Sequence, residues 1–189
     1  MTGDRDTLDD ADLLAAVKRG EEAAFTCLVV RHQRSLINFF FHLSWDRAMA
    51  EDCAQEVFLR LYSHRETYQP QARFTTFLFR IARNLWIDRV RSAAVHGKPA
   101  SLDGLLQDRV ASPAPGPVEI LTRRETGAAL KRALEKLSEE QRAVVLLGEI
   151  QGLKYEEVGA ILEIPVGTVK SRMHTALEKL HVLLADPDL

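Results

Sequence analysis

A proline- and glycine-rich stretch divides a chain that is otherwise patterned for helices, and this division limits the folds open to it. The stretch covers residues 93–118 (AAVHGKPASLDGLLQDRVASPAPGPV), in which PAPGP cannot sustain a helix. On both sides of it apolar residues recur at helical spacing, and no segment shows the sustained alternation of a strand. The sequence therefore predicts an all-α protein made of two small helical domains joined by a flexible linker.

The expected domains are residues 8–92 and 119–184, with the linker at 93–118 between them. The helices expected in the first domain run from a cap at Asp9 or Asp10 to near Gly20, and then over 23–42, 47–64 and 74–91. In the second domain Ser138 and Gln141 have the spacing of a capping box. A break is expected at Gln151-Gly152.

Composition limits the functions that such a chain can have. The net charge of the 189 residues is −2 and the pI is near 6.3, whereas a DNA-binding protein that acts alone usually carries a strong positive excess. DNA binding would therefore be local and assisted by a partner. No apolar run is long enough to span a membrane, and the acidic N-terminus has no apolar core, so we expect a cytoplasmic protein without membrane insertion.

Catalytic and metal-binding patterns do not stand out in the sequence. Cys27 and Cys53 are far apart and form no CxxC motif, so we expect both to be reduced thiols. We identify no glycine-rich phosphate loop, serine-elbow motif or clustered His, Cys and carboxylate set. No cofactor, metal or enzymatic activity is predicted.

Residues 155–180 (YEEVGAILEIPVGTVKSRMHTALEKL) have the pattern of two short helices separated by a turn at Glu163-Ile164-Pro165. The residues expected to be buried are Val158, Ile161, Leu162, Val169, Met173, Ala176, Leu177 and Leu180. The residues expected on the outer faces of the second helix are Thr168, Lys170, Ser171, Arg172, His174 and Thr175. By spacing alone a plain helical hairpin fits equally well, but the short turn and the small polar side chains favour a DNA-reading helix-turn-helix.

Two further blocks in the first half combine a buried stripe with a polar face. In AEDCAQEVFLRLY the predicted stripe is Ala50, Cys53, Ala54, Val57, Phe58, Leu61 and Tyr62. Opposite it lie Glu51, Asp52, Gln55, Glu56 and, one turn on, Arg60, on a face expected to lack large hydrophobic residues. In FTTFLFRIARNLWIDRVR the predicted stripe is Phe74, Phe77, Leu78, Ile81 and Leu85. Its other faces interleave arginines with aromatic rings, a mixture that suits single-stranded nucleic acid.

These three blocks resemble a known family over nearly the whole chain and in the same order. LKYEEVGAILEIPVGTVKSRMHTALEKL closely resembles region four of the extracytoplasmic-function (ECF) sigma factors of bacterial RNA polymerase. The other two blocks resemble region two of the same family. The resemblance implies a factor that binds core RNA polymerase, reads the minus-ten and minus-thirty-five promoter elements, and is controlled by an anti-sigma factor.

The resemblance also implies roles for individual residues. Asp52, Gln55 and Glu56 match positions that dock on the clamp helices of the largest catalytic subunit of the polymerase. Asn84 matches a position that contacts an extruded base of the minus-ten element. The loop at 68–73 is expected to take part in melting this element. The other residues assigned to DNA by the resemblance are Arg80, Arg83, Arg89 and Arg91, and in the second domain Thr168, Lys170, Ser171, Arg172, His174 and Thr175.

Some residues depart from the family pattern or leave a choice open. Lys154 stands where Ser or Thr is frequent, so the following helix is expected to lack a side-chain N-cap, and Glu163 stands where glycine is frequent. The His174-Thr175 pair is also unusual for a promoter-reading helix. For Phe79 and Trp86, packing is favoured over contact with DNA. The alternative function is a conventional transcriptional regulator that binds a symmetric operator without polymerase.

Overall fold

The computed structural model describes residues 8–67, 73–95 and 127–185, and the regular elements in these ranges are helical, as predicted. The helices are α1 (Asp10–Lys18), α2 (Glu22–Ser44), α3 (Arg47–Ser63), α4 (Phe74–Val95), α5 (127–135), α6 (Glu139–Val145), α7 (Tyr155–Leu162) and α8 (Val166–Ala185). A 3₁₀ turn at Arg65–Thr67 follows α3, and a π-helical turn at Leu146–Ile150 extends α6.

The predicted linker lies mostly outside the described residues. Helix α4 continues to Val95, three residues past the expected domain boundary at residue 92. Linker residues 96–118, the expected return of helical structure at Glu119, and residues 68–72 of the expected loop all lie outside the described ranges.

Helix starts follow the capping residues in the sequence. The side chain of Asp9 accepts a hydrogen bond from the backbone N–H of Asp12 at 2.7 Å. The predicted capping box is confirmed, because the Ser138 hydroxyl accepts from the Gln141 N–H at 3.2 Å and the Gln141 side chain accepts from the Ser138 N–H at 3.3 Å. Each such cap satisfies N–H groups that have no partner inside the helix and contributes about 1 kcal/mol.

The core of the first half lies between α1, α2, α3 and α4. Its fully buried side chains include Leu13, Leu14, Leu28, Leu36, Phe40, Leu61 and Leu78. Phe79 is 2% exposed, and its ring meets Phe39 edge-on at a centroid distance of 5.4 Å. Trp86 packs against Phe40 at 6.3 Å. These contacts agree with the packing role favoured for both aromatic residues.

Tyr62 and Leu177 are more exposed than their sequence patterns predicted. Each is 40% exposed, whereas both were expected to be buried. Viewed along the helix axis, Tyr62 lies about 110° from the mean direction of the buried stripe of α3. Leu177 lies about 70° from the mean direction of the buried side chains of α8. Spacings of three and four residues place these side chains at the edges of their stripes, where no described helix covers them fully.

The two halves of the chain pack against each other through α4 and α7. Arg83 Nη1 on α4 donates to Glu163 Oε2 at 3.1 Å, at the end of α7. A second connection joins the Gln151 side-chain amide to the Ser35 carbonyl at 3.3 Å. Between the halves is a gap of about 290 Å³, lined mainly by apolar side chains and also by Arg83 and Arg172. The halves are therefore in direct contact in this structure.

His42 gives the fold a dependence on pH. Its ring lies between Phe41 and Trp45, at centroid distances of 5.7 and 5.3 Å. Burial lowers its pKa from the ordinary value of 6.5, so the folded state favours the neutral ring. The unfolded chain therefore binds more protons just below pH 6.5, and the stability that this ring contributes above that pH is lost as pH falls.

We expect wild-type protein to lose stability relative to a His42→Gln variant as pH falls from 8 to 5. Urea unfolding of both proteins across this range measures the difference directly, and the other titrating groups cancel in the comparison. Parallel stability curves for the two proteins would show that His42 titrates alike in the folded and unfolded states.

Candidate nucleic-acid and protein-binding surfaces

The outer face of α3 carries the three residues expected to bind the polymerase. Helix α3 begins at a cap in which Asp46 accepts from the Met49 N–H, and its buried stripe faces the core. Asp52 and Gln55 are exposed, and Glu56 is half-buried. Arg60 Nε donates to Glu56 Oε1 at 2.9 Å across one turn of the helix. The three side chains thus share one accessible face, where they can contact another protein.

This face also contains a large hydrophobic residue, contrary to the prediction. Leu59 is 63% exposed and lies about 170° from the buried stripe of α3, at the middle of the polar face. A signal for it was present in the sequence, since Leu59 follows Gln55 by four residues and Glu56 by three. The run of apolar letters in VFLRLY hid this position, because Val57, Phe58 and Leu61 do point into the core.

One strip of α4 presents the residue types expected at single-stranded nucleic acid. Arg80, Asn84 and Arg91 are exposed, and separations of four and seven residues place them along one side of the helix. The Arg80 guanidinium lies 5.9 Å from the centroid of the Phe77 ring. Asn84 offers an amide that both donates and accepts hydrogen bonds. The strip thus combines cationic groups with a group able to read a base edge.

Arg83 and Arg89 lie beside this strip and make contacts within the protein, and Arg83 Nη1 donates to the Asn84 Oδ1 atom of the strip at 3.1 Å. Arg83 contacts the other half of the chain, donating to Glu163 Oε2 and, at 3.4 Å, to the Leu162 carbonyl. Arg89 Nη1 approaches the Cys53 Sγ atom at 3.3 Å, between α3 and α4. Burial raises the pKa of the Cys53 thiol, and the positive charge of Arg89 partly opposes that rise. These two arginines make contacts within the protein in the packed arrangement.

Helices α7 and α8 form the two arms of the predicted helix-turn-helix. Lys154 gives α7 no side-chain cap, but the Glu157 carboxylate accepts from the Lys154 N–H at 2.9 Å. Gly159 lies where a Cβ atom would sit 3.0 Å from the Ile164 carbonyl oxygen. A larger residue there would push the turn away from α7. The missing side-chain cap is confirmed, and the space at residue 159 suits only a small residue.

The outer surface of α8 presents most of the residues expected to read duplex DNA. Lys170, Ser171, His174 and Thr175 are exposed, whereas Thr168 and Arg172 are half-buried. The Ser171 hydroxyl donates to the Thr168 carbonyl and the Thr175 hydroxyl to the Ser171 carbonyl, each at 3.1 Å. Because these hydroxyl protons are used within the helix, the oxygens are left as acceptors for an outside donor such as a base amino group. Arg172 differs in that it lines the gap between the halves.

The turn between α7 and α8 stores backbone strain at Glu163. This residue has φ 58 in the left-handed region, which disfavours residues other than glycine. We expect Glu163→Gly to raise the free energy of unfolding by about 0.5–1 kcal/mol, since the exposed ion pair with Arg83 contributes little. Glu163→Ala removes the same ion pair but keeps the Cβ, so urea denaturation should find it no more stable than wild type. A glycine variant less stable than the alanine variant would contradict this account.

Comparison with known proteins identifies the family to which both halves of the chain are similar. Residues 28–95 match the family described as Sigma-70 region 2, and residues 127–180 match Sigma-70, region 4. The chain is 37% identical over 169 residues to the ECF RNA polymerase sigma factor SigE of Mycolicibacterium smegmatis, covering 88% of this chain and 65% of that protein. It is 32% identical over 175 residues to the ECF sigma factor SigW of Bacillus subtilis, covering 90% of this chain and 94% of SigW. The chain therefore belongs to the ECF sigma factors of the sigma-70 family.

Solved structures match both helical halves. CnrH in complex with the cytosolic domain of CnrY has a TM-score of 0.72 and 26% identity, with 95% of this chain and 99% of CnrH covered. The sigma factor RpoE of Bartonella quintana in complex with the anti-sigma factor NepR has a TM-score of 0.67 and 25% identity, with 85% of this chain and 96% of RpoE covered.

Among the described residues no helix is both long and apolar enough to cross a membrane.

Proposed function

We propose that the chain binds core RNA polymerase as a sigma factor and directs promoter-specific initiation of transcription. The observation that carries this proposal is the presence on one chain, in family order, of a region 2 match and a region 4 match. The exposed surface of each half has chemistry suited to its task. The factor acts in the cytoplasm and supplies recognition, whereas the polymerase supplies the chemistry.

The outer face of α3 docks on the clamp of the largest polymerase subunit. Asp52 and Glu56 give it negative charge, and Gln55 adds donors and acceptors for hydrogen bonds. An interface of this kind depends on complementary charge, so it forms quickly and weakens as salt rises. Docking also explains the net charge of −2, because core enzyme provides much of the DNA-binding surface.

The exposed strip of α4 reads the minus-ten element as single-stranded DNA. Arg80 and Arg91 hold the phosphate backbone, and Asn84 binds the edge of an unstacked base. Extruding a base costs a few kcal/mol, which hydrogen bonds and stacking at a prepared site offset. Residues 68–73, just before the helix, take part in the same step.

Helix α8 reads the minus-thirty-five element as a duplex. Lys170 provides a phosphate contact, and Ser171, His174 and Thr175 face the major groove beside it. Arg172 completes this surface when the gap beside it opens. Because Arg83 and Arg172 both line that gap, the halves separate when both arginines bind DNA.

An anti-sigma factor is the partner that opposes this activity. Two solved structures that this chain resembles across both halves are of sigma factors or their relatives held by a second protein. A protein that covers the outer face of α3 competes directly with polymerase. One that also keeps the halves packed together holds Arg83 and Arg172 away from DNA.

Transcription in vitro tests the proposal. Core polymerase, genomic DNA fragments and the purified chain are incubated with nucleotides, and the 5′ ends of the transcripts are sequenced. The proposal predicts transcripts that start downstream of one shared pair of promoter elements and that depend on the added chain. Sequence-specific binding to a symmetric operator, with no effect on start sites, would instead support a conventional regulator.

A further inference from the structure

Leu59 stands out because it is a large apolar side chain in the middle of a polar surface. It is 63% exposed, with Asp52, Gln55 and Glu56 around it on the same face of α3. Exposure alone carries little meaning, since single apolar residues are common on protein surfaces. Val30 on α2 is also 63% exposed. Leu59 differs from Val30 because it follows Glu56 by three residues and Gln55 by four, on the face that also carries Asp52.

Tyr62 extends the apolar area by one turn and is held in place by its neighbours. Its ring meets Phe25 at a centroid distance of 5.2 Å, and the Arg65 guanidinium covers it at 4.3 Å. Arg65 Nη1 also donates to the Tyr62 carbonyl at 2.7 Å. A ring fixed in this way loses little conformational freedom on binding, which favours tight association. Leu59 therefore has an ordered aromatic neighbour.

The arrangement has the usual anatomy of a protein-binding surface. Energetically important contacts lie at the centre of an interface, where water is excluded, and polar groups surround them. Here Leu59 and Tyr62 supply the apolar centre, and Asp52, Gln55 and Glu56 supply a polar rim on its N-terminal side. Nothing in the fold needs Leu59 to be apolar, because its side chain lies opposite the buried stripe. Its chemistry therefore suits an external partner.

We propose that Leu59 is the apolar anchor of polymerase docking, inserting into an apolar recess that is rimmed by basic or hydrogen-bonding groups on core RNA polymerase. The inference rests on the proposed function and deepens it, because the residue lies within the face already assigned to polymerase. The acidic rim selects a partner surface of opposite charge. Leu59 contributes apolar burial that salt does not screen.

Binding of the full-length chain to core polymerase without DNA tests the proposal over a series of salt concentrations. Leu59→Ala should weaken binding by about tenfold or more, with an unchanged melting temperature and the same dependence on salt as wild type. Leu59→Met keeps the apolar volume and should bind almost normally. Val30→Ala removes an equally exposed apolar side chain on another helix and should bind as wild type. Glu56→Gln should instead reduce the dependence on salt, because it removes charge from the rim.

The outcomes separate this inference from the function on which it rests. If wild type binds polymerase and Leu59→Ala binds equally well, the anchor is refuted and the sigma-factor assignment stands. If wild type itself fails to bind polymerase, both the proposed function and the anchor role of Leu59 are refuted. Sedimentation of wild type and Leu59→Ala tests whether the patch instead binds a second copy of the chain. Self-association that Leu59→Ala abolishes, with unchanged affinity for polymerase, would assign the patch to a second copy of this chain and overturn the proposal.

Discussion

Replacing Gln55 and Glu56 together by alanine is expected to abolish promoter-dependent transcription while leaving the fold intact. Gln55 and Glu56 adjoin Leu59 on the docking face, and a loss of about 1.4 kcal/mol at each lowers polymerase affinity by about a hundredfold. The cost to folding is small, because Gln55 is exposed and the Glu56–Arg60 ion pair lies at the surface. Transcription in vitro with limiting factor measures the loss, and thermal melting checks the fold.

A matched control for this variant lies on the same helix. Glu51 pairs with Arg47 four residues earlier, as Glu56 pairs with Arg60 four residues later, and the two carboxylates are similarly exposed at 45% and 43%. No polymerase contact is assigned to Glu51, which lies at the edge of the docking face, about 100° around the helix from Asp52 and about 40° from Gln55. Glu51→Ala should therefore transcribe normally. Equal losses in the control and the double variant would indicate a general weakening of α3.

Replacing Lys170 and Arg172 together by alanine is expected to remove recognition of the minus-thirty-five element. A side-chain contact to a base edge contributes about 1–3 kcal/mol to recognition. Each lost phosphate contact reduces by about 1 the slope of the logarithm of DNA affinity against the logarithm of salt concentration. Holoenzyme with the double variant should bind an intact promoter and one with a scrambled upstream element equally well. Discrimination at the minus-ten element should remain, because it depends on α4. Competition binding with these two fragments and a third that has a scrambled minus-ten element measures both effects.

Lys179 provides the comparison for this experiment. It lies on the same helix, one turn beyond Thr175, and donates to the Gln141 side chain at 3.2 Å. Lys179→Ala should keep full discrimination at the upstream element. Normal promoter use by the Lys170 and Arg172 double variant would refute the assignment of α8 as the reading helix.

The sequence was sufficient to predict features that depend on local chemistry. Asp9 and Ser138 mark helix starts because their oxygens accept bonds from N–H groups two or three residues later. Pro165 marks the start of α8, since the N–H groups of Thr168 and Val169 bond to its carbonyl. These features involve residues that are neighbours along the chain.

Features that depend on contacts between distant residues were not predicted. The bond from Arg83 to Glu163 joins residues 80 positions apart, and nothing in either segment indicates the other. Trp45 ends α2 with φ 55, a conformation that sequence rules assign to glycine or asparagine. Burial of the Trp45 side chain to 8% exposure offsets that strain, which only the folded structure reveals. The exposure of Leu59 was missed for a different reason, because the apolar run VFLRLY masked its helical spacing from Gln55 and Glu56.

The central claim is that the chain acts as a subunit of polymerase and does not bind DNA on its own. The most direct test is equilibrium binding of the purified, full-length chain to bacterial core RNA polymerase in the absence of DNA, with promoter duplex alone as the comparison. We predict saturable, salt-sensitive binding to core enzyme and no sequence-specific binding to the duplex. Failure of the folded chain to bind core enzyme, together with tight and specific binding to DNA alone, would contradict the assignment as a sigma factor.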